Sequence, residues 1–239
     1  MTSIPSATEH TQIRRDWQFV VDADMVLQRQ GANAAKVRSR QPRLIALAEQ
    51  AIAEGQSLIR PAVAYRILKI HQVQPALVLL ANGTQLRGHS VARKLTGAEL
   101  AIATIATVGA EIEQQILRAT RKDAPFALAL DGYATAAVGA LILAFRQYFA
   151  ELLAAQQFTT TSPLYPGTND WELAAAQTEL FSLVDAAPIG VKLTPSFLMT
   201  PCKSVSMLIA AGVSLPAASP EPCEECGASS TCRHRLTNP

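Results

Sequence analysis

The feature that constrains this fold most is a long apolar stretch, residues 124–145 ("APFALALDGYATAAVGALILAF"), in which Asp131 is the only charged residue. Beyond Asp131 the apolar run is shorter than the roughly 20 residues that a membrane-spanning helix needs. We therefore predict an alanine-rich helix buried in a domain core, and no membrane partner. A carboxylate in such a helix is rarely buried without a partner, so Asp131 is predicted to be a helix cap or a paired structural acid.

The composition narrows the class of protein. The chain has 239 residues, enough for one large domain or two small ones. Its formal net charge of +2 gives no reason to expect a nucleic-acid partner. The polar start, "MTSIPSATEHTQIRRDW", lacks the apolar run of a secretory signal, so a cytoplasmic protein is expected.

Helical and extended patterns follow each other irregularly along the chain. The first half predicts a helix over residues 43–55, a strand over 61–70, and a hairpin at "NG" (82–83). A short helix follows, with Ser90 available as its cap, and then a strand over residues 99–109.

The second half begins with a helical pattern over residues 110–156 that breaks near Pro125. After a loop at residues 159–170, Asn169 and Glu172 form a capping-box-like start for another helix. Two extended runs surround Pro201. This irregular order favours an α+β fold over a doubly wound sheet. We expect a mobile leader (1–14), a domain (15–212), and a linker with a cysteine-rich tail (213–239).

The chain has four cysteines, and three of them lie within ten residues of its tail. Cys223 and Cys226 form a C-x-x-C pair, Cys232 follows, and Cys202 is the remaining thiol. Structural zinc and iron–sulfur clusters both usually take four ligands, so these four cysteines are candidate metal ligands. The spacing does not choose between zinc and a cluster, and His234 or an open position is the alternative to Cys202. The alternative to a metal site is a tail whose thiols bind nothing.

Other catalytic signatures are missing from the sequence. It contains no G-x-G-x-x-G, no Walker loop and no H-E-x-x-H. His71 and His89 are predicted to be surface or hairpin residues, and no catalytic residue can be named.

Several motifs occur in an order that resembles a known domain. They are "MVLQRQG", "ATVGAEIE", "LDGYATAAVGAL", "SPLYPGTNDW" before a helix, and "IGVKLTPSFLMTPCKSVSMLI". Together they resemble the activation domain of cobalamin-dependent methionine synthase, and more closely the free-standing proteins built on that domain, which also have a cysteine-rich tail. The similarity runs from about residue 20 to the C-terminus, and the order of the motifs carries it.

The resemblance implies a fold and a function. The fold would be a single curved α+β domain around a twisted antiparallel sheet. The family domain binds S-adenosylmethionine and presents its methyl group to a cobalamin in the inactive Co(II) state. This chain lacks the D-x-H-x-x-G signature of cobalamin carriers. It is therefore expected to serve a separate corrinoid protein, or a methionine synthase without its own activation domain, and to meet cobalamin only through that partner.

The resemblance also suggests binding residues and two departures from the family. The candidate substrate-binding residues are Ser162, Pro163, Tyr165, Lys203, Ser204 and Ser206. Gly139 stands where the family has the glutamate that meets the ligand ammonium, and Thr160 where it has the arginine that meets the carboxylate. Each lost charged contact typically costs about 1.5–3 kcal/mol, so weak binding of S-adenosylmethionine is expected.

Two other functions remain open at this level. One is a docking module that has lost S-adenosylmethionine and kept only its corrinoid-protein partner, which the two departures favour. The other is a metal- or redox-sensing module on the same fold, which the cysteine tail favours.

Overall fold

The structure is a computed structural model, and it describes residues 7–168, 170–213 and 215. Its helices and strands between residues 42 and 156 lie close to the sequence predictions, whereas those before residue 42 were not predicted. The helices are α1 (Ala23–Arg29), α2 (Ala34–Arg40), α3 (Pro42–Gly55), α4 (His89–Leu95), α5 (Glu111–Thr120), α6 (Ala124–Ala154) and α7 (Leu173–Leu183). The strands are β1 (Gln12–Arg14), β2 (Ala62–Gln74), β3 (Leu77–Leu80), β4 (Gln85–Arg87), β5 (Leu100–Thr107), β6 (Thr159–Thr160), β7 (Lys192–Leu193), β8 (Met199–Thr200) and β9 (Ser204–Gly212).

One strongly curled antiparallel sheet organises the molecule. Its order is β4-β3-β2-β5-β9-β6, and β1 pairs with the first part of β2. Strand β2 is 13 residues long and its register against β3 shifts between Ile70 and Gln72, where the β3–β4 hairpin joins the rest of the sheet. Strands β7 and β8 form a separate two-stranded ribbon. The predicted α+β class with an antiparallel sheet is confirmed.

The sheet separates two apolar layers. All eight residues of β5 are buried, and they alternate between the layers, with Ile102 and Ala106 on one face and Ala103 and Ile105 on the other. A strand is buried throughout only when both of its faces are covered. Helix α6 covers the first face, and α4 and α7 cover the second.

Helix α6 is the longest element, with 31 residues. The helix is long and apolar enough to cross a membrane, but 67% of its most apolar 18-residue segment is buried inside the domain. Helix α3 packs closely against it, since a Cβ atom at Gly55 would overlap the ring of Tyr133. The prediction of a buried alanine-rich helix is confirmed.

The caps of two helices differ from the sequence prediction. Ser90 lies inside α4 and is buried, so it is not the cap. The Asp170 carboxylate instead accepts the backbone N–H groups of His89 (2.6 Å) and Ser90 (2.9 Å). At α7, Glu172 occupies the N-cap position without a side-chain hydrogen bond. Asn169 lies outside the described residues, so its half of the predicted capping box stays a prediction.

The domain also extends beyond its expected boundaries. Strand β1 pairs with β2, and the backbone N–H of Thr8 donates to Ile67 O at 2.8 Å, so the folded part begins before residue 15. At the other end Leu215 is buried in the second apolar layer. The cysteines of the tail lie outside the described residues.

Candidate functional site

The start of β9 is tied to α6 by a polar cluster around Lys203. Lys203 Nζ lies 2.7 Å from Asp131 Oδ1 and donates to Thr135 Oγ1 at 2.9 Å. Its backbone N–H donates to Glu113 Oε1 on α5 at 2.7 Å. Asp131 therefore proves to be a paired acid and not a cap, and Lys203 lies on the α6 side of the strand.

Ser204 and Ser206 point to the opposite side of β9. Ser204 Oγ donates to Thr107 Oγ1 on β5, and Ser206 Oγ donates to Gln177 Oε1 on α7, both at 2.9 Å. Ser206 and Gln177 are both buried, so their hydrogen bond also satisfies two groups that water does not reach.

The loop after β6 runs along the outer edge of β9. Leu164 exchanges both backbone hydrogen bonds with Leu208, at 2.8 and 2.9 Å. This pairing places Tyr165 beside the start of the strand. Ser162, from the same loop, is buried, and its hydroxyl has no hydrogen-bond partner in the described part of the chain. Pro163 is half-buried.

A cleft of about 340 Å³ opens where these elements meet. Of the candidate binding residues, Tyr165, Ser204 and Ser206 line it, and Cys202 does too. Its apolar wall comes from α7 and the β7–β8 ribbon: Leu173, Phe197, Leu198 and Met199. Ser162, Pro163 and Lys203 are not among its lining residues. Three of the six candidate residues therefore line this cleft, and that any of the six binds a ligand stays a prediction.

Within the part of the chain that the structure describes, the outer edge of β9 has no backbone partner at Ser204 and Ser206. Lys203 O accepts from Val108 N at 3.2 Å on the β5 side, whereas Leu208 pairs outward with Leu164. Backbone groups alternate sides along a strand, so those of Ser204 and Ser206 point outward with Leu208, towards the cleft. Those of Ser204, which is partly exposed, are open to a ligand, whereas Ser206 is buried.

Cys202 is exposed and borders the cleft. Burial of the sulfur, together with neighbouring Glu113, raises the pKa of its thiol to about 11, so it is protonated at neutral pH. The described residues contain no group of three or more metal-ligating side chains. Cys223, Cys226 and Cys232 lie outside the described residues, so the predicted metal centre stays a prediction.

Two arginines that the sequence analysis missed lie beside this site. A Cβ atom at Gly139 would lie 3.1 Å from Arg29 Nη2, so the guanidinium of Arg29 covers the position where the family has a glutamate. Burial raises the pKa of Tyr165, and the positive charges of Arg146 and Arg29 act in the opposite direction. Thr160, at the expected position of the family's arginine, pairs with Ala211 in the sheet.

No family model and no curated protein matches this chain. Among solved structures, the crystal structure of the MetH reactivation domain bound to AdoHcy matches it over 90% of this chain and 82% of that chain. The TM-score is 0.58 and the sequence identity is 13%.

The chain has the reactivation-domain fold. The structural resemblance expected from the motifs is therefore confirmed, although at 13% identity it establishes the fold alone. The curled antiparallel sheet is part of this fold.

Proposed function

We propose that this protein is a reactivation partner of a corrinoid protein, and that it binds an adenosyl ligand in the cleft beside Tyr165. The observation that supports this most is the position of the cleft. It lies along the unpaired edge of β9, in a fold whose solved counterpart holds AdoHcy. The chain would then assist reductive methylation of cob(II)alamin, with S-adenosylmethionine as methyl donor and the corrinoid held by the partner.

The chemistry of the cleft suits a nucleoside. An aromatic ring and apolar side chains can contact a base and ribose, while strand-edge N–H and C=O groups supply directed hydrogen bonds. Tyr165 provides the ring, and Ser204 provides outward backbone groups that are partly exposed. The protein's own part in the reaction would be to orient the sulfonium methyl towards the partner's cobalt.

The first test is binding of S-adenosylhomocysteine to the purified protein by calorimetry. Tyr165→Ala should weaken binding by about tenfold or more, because it removes one wall of the cleft. Tyr148→Ala is the matched control, since Tyr148 lies elsewhere, in the aromatic cluster with Trp17 and Phe149. Equal affinities for wild type and Tyr165→Ala would place the ligand elsewhere.

The second test is reactivation itself. A corrinoid protein in the Co(II) state is mixed with this protein, S-adenosylmethionine and a one-electron reductant, and methylcobalamin is followed by its absorption spectrum. Methylation that requires both this protein and the methyl donor supports the proposal. Methylation at the same rate without this protein contradicts it.

A second candidate function is a docking module without S-adenosylmethionine. The observation that favours it is Arg29, whose positive charge lies against Gly139 where a ligand ammonium would be repelled. A protein that binds the corrinoid partner but neither S-adenosylmethionine nor S-adenosylhomocysteine would support this function over the first.

We further propose that the cysteine tail holds an iron–sulfur cluster or zinc near this cleft. Cys202 supports this, because it is exposed at the cleft and within the segment that the resemblance placed beside the ligand. A cluster would supply the electron that reactivation needs, whereas zinc would only fold the tail.

A further inference from the structure

Arg29 and Arg146 approach one face of α6 from two directions. Gly139 and Arg146 are seven residues apart on α6, which is about two helical turns, so they share a face. Long side chains on a helix point back towards its N-terminus, which directs Arg146 towards Gly139. Arg29 is the last residue of α1, and its Nη2 atom lies 3.1 Å from the Cβ position of Gly139.

Neither guanidinium group has an ion-pair or hydrogen-bond partner among the described residues. Both side chains are half-buried. On the same face of α6 the one carboxylate, Asp131, is already paired with Lys203. Partly buried cations without an ion-pair partner are costly, so within the described residues these two positive charges are uncompensated.

Tyr165 joins this face to the cleft. Its side chain packs against the apolar layer that contains α6, and the same residue lines the cleft along β9. Burial raises the pKa of its phenol, and the positive charges of Arg146 and Arg29 act in the opposite direction. An elongated ligand can therefore contact the cleft with one end and the arginines with the other.

We propose that Arg29 and Arg146, with the Tyr165 hydroxyl, bind an oxyanion group of a small ligand, a carboxylate or a phosphate. Guanidinium groups bind both through paired N–H donors, and a phenol adds a further donor. The same charges disfavour an ammonium beside that oxyanion. If the ligand is an adenosyl compound, which rests on the proposed function, the site prefers a compound that has the carboxylate and lacks the amine.

The experiment compares four probes by calorimetry at low salt. Inorganic phosphate tests the phosphate source, and S-adenosyl-4-mercaptobutyrate tests the carboxylate source, since it is S-adenosylhomocysteine without its ammonium. S-adenosylhomocysteine itself and uncharged 5′-methylthioadenosine complete the set. The variants are Arg29→Ala, Arg146→Ala and Arg29→Glu. The control is Arg93→Ala, which removes an exposed arginine from α4 on the opposite face of the sheet.

We expect the wild type to bind the deaminated compound about tenfold or more tightly than S-adenosylhomocysteine. Arg29→Ala and Arg146→Ala should each weaken its binding by about 10- to 100-fold, because each removes a charge-assisted contact. Arg93→Ala should change nothing, and Arg29→Glu should reverse the preference towards S-adenosylhomocysteine. Thermal unfolding confirms that each variant is folded.

The outcomes separate the site from the proposed function. Binding of phosphate that depends on both arginines, with no adenosyl compound bound, would keep the oxyanion site and remove the adenosyl ligand. Adenosyl compounds that bind equally with and without the two arginines would keep the cleft and overturn the oxyanion site. Anions that bind to neither the wild type nor any folded variant overturn it as well.

Discussion

Lys203 Nζ and Asp131 Oδ1 lie 2.7 Å apart, and this ion pair fastens the start of β9 to the middle of α6. Lys203 is 14% exposed in its side chain, whereas Asp131 is 46% exposed. The pair is therefore half in water, which reduces its strength. It nonetheless joins the residue before β9 to the helix that carries Gly139 and Arg146.

The first prediction concerns this ion pair. Asp131→Asn should lower the free energy of unfolding by about 1 kcal/mol, because Lys203 keeps only Thr135 as a side-chain partner. A double-mutant cycle with Lys203→Met, followed by chemical denaturation, should give a coupling energy of about 0.5–1 kcal/mol. A coupling near zero would mean that solvent screens the pair completely.

The second prediction concerns the buried indole of Trp171. Its Nε1–H donates to Glu179 Oε2 at 2.9 Å, and Glu179 Oε1 accepts the backbone N–H of Arg87 at 3.1 Å. Glu179→Ala leaves both donors without a partner and should lower the free energy of unfolding by about 2–4 kcal/mol. Glu172→Ala is the control, since Glu172 is exposed and makes no side-chain cap at the same helix. Equal effects of the two changes in chemical denaturation would contradict this role.

The third prediction is a pH dependence at α4. Hydrogen bonds from Ser90 and His89 lower the pKa of the Asp170 carboxyl from 3.8 to about 2. Because the pKa of this carboxyl is lower in the folded state than in the unfolded state, its ionised form stabilises the fold above about pH 4. This stabilisation is lost as the pH falls from about 4 to about 2. Asp170→Asn should therefore flatten the loss of stability in this window.

Thermal unfolding at several pH values measures that slope. Glu49→Gln, on the exposed face of α3, is the control and should keep the slope of the wild type. Asp170→Ala should also cost about 1 kcal/mol at neutral pH, the usual value of a helix cap. An unchanged acid slope in Asp170→Asn would show that another carboxylate controls it.

The fourth prediction concerns the family's missing glutamate. Gly139→Glu alone should not improve binding of S-adenosylhomocysteine, because the new carboxylate would meet Arg29 and pair with it. Gly139→Glu combined with Arg29→Ala should bind at least about tenfold more tightly than Gly139→Glu. Adding Thr160→Arg tests the carboxylate anchor in the same way. Calorimetry measures all three, and a gain from Gly139→Glu alone would show that Arg29 swings away.

The fifth prediction concerns the cysteine tail. Protein purified without oxygen should be brown and contain iron and sulfide, and Cys226→Ser should remove the colour. Cys202→Ser tests the fourth ligand, with Ser204→Ala as a neighbouring control in the same segment. Colourless protein with stoichiometric zinc would keep the site and end its redox role. Colourless protein without metal would contradict both.

Elements with local signals could be predicted from the amino-acid sequence alone. The "NG" hairpin between β3 and β4 follows from glycine at a positive φ of 85° at Gly83. The buried helix α6 follows from an apolar stretch too long to leave in water. The order of the family motifs was enough to predict the antiparallel α+β fold.

Contacts between residues far apart in the sequence could be seen only in the folded chain. The cap of α4 comes from Asp170, 81 residues away from His89, because any well-placed acceptor can satisfy the free N–H groups of a helix start. Arg29 covers Gly139, since a glycine leaves room that a long side chain from another helix can fill. Local spacing encodes periodicity and turns, but contacts between distant segments depend on how the layers pack. The charge beside the cleft is therefore a property of the folded chain.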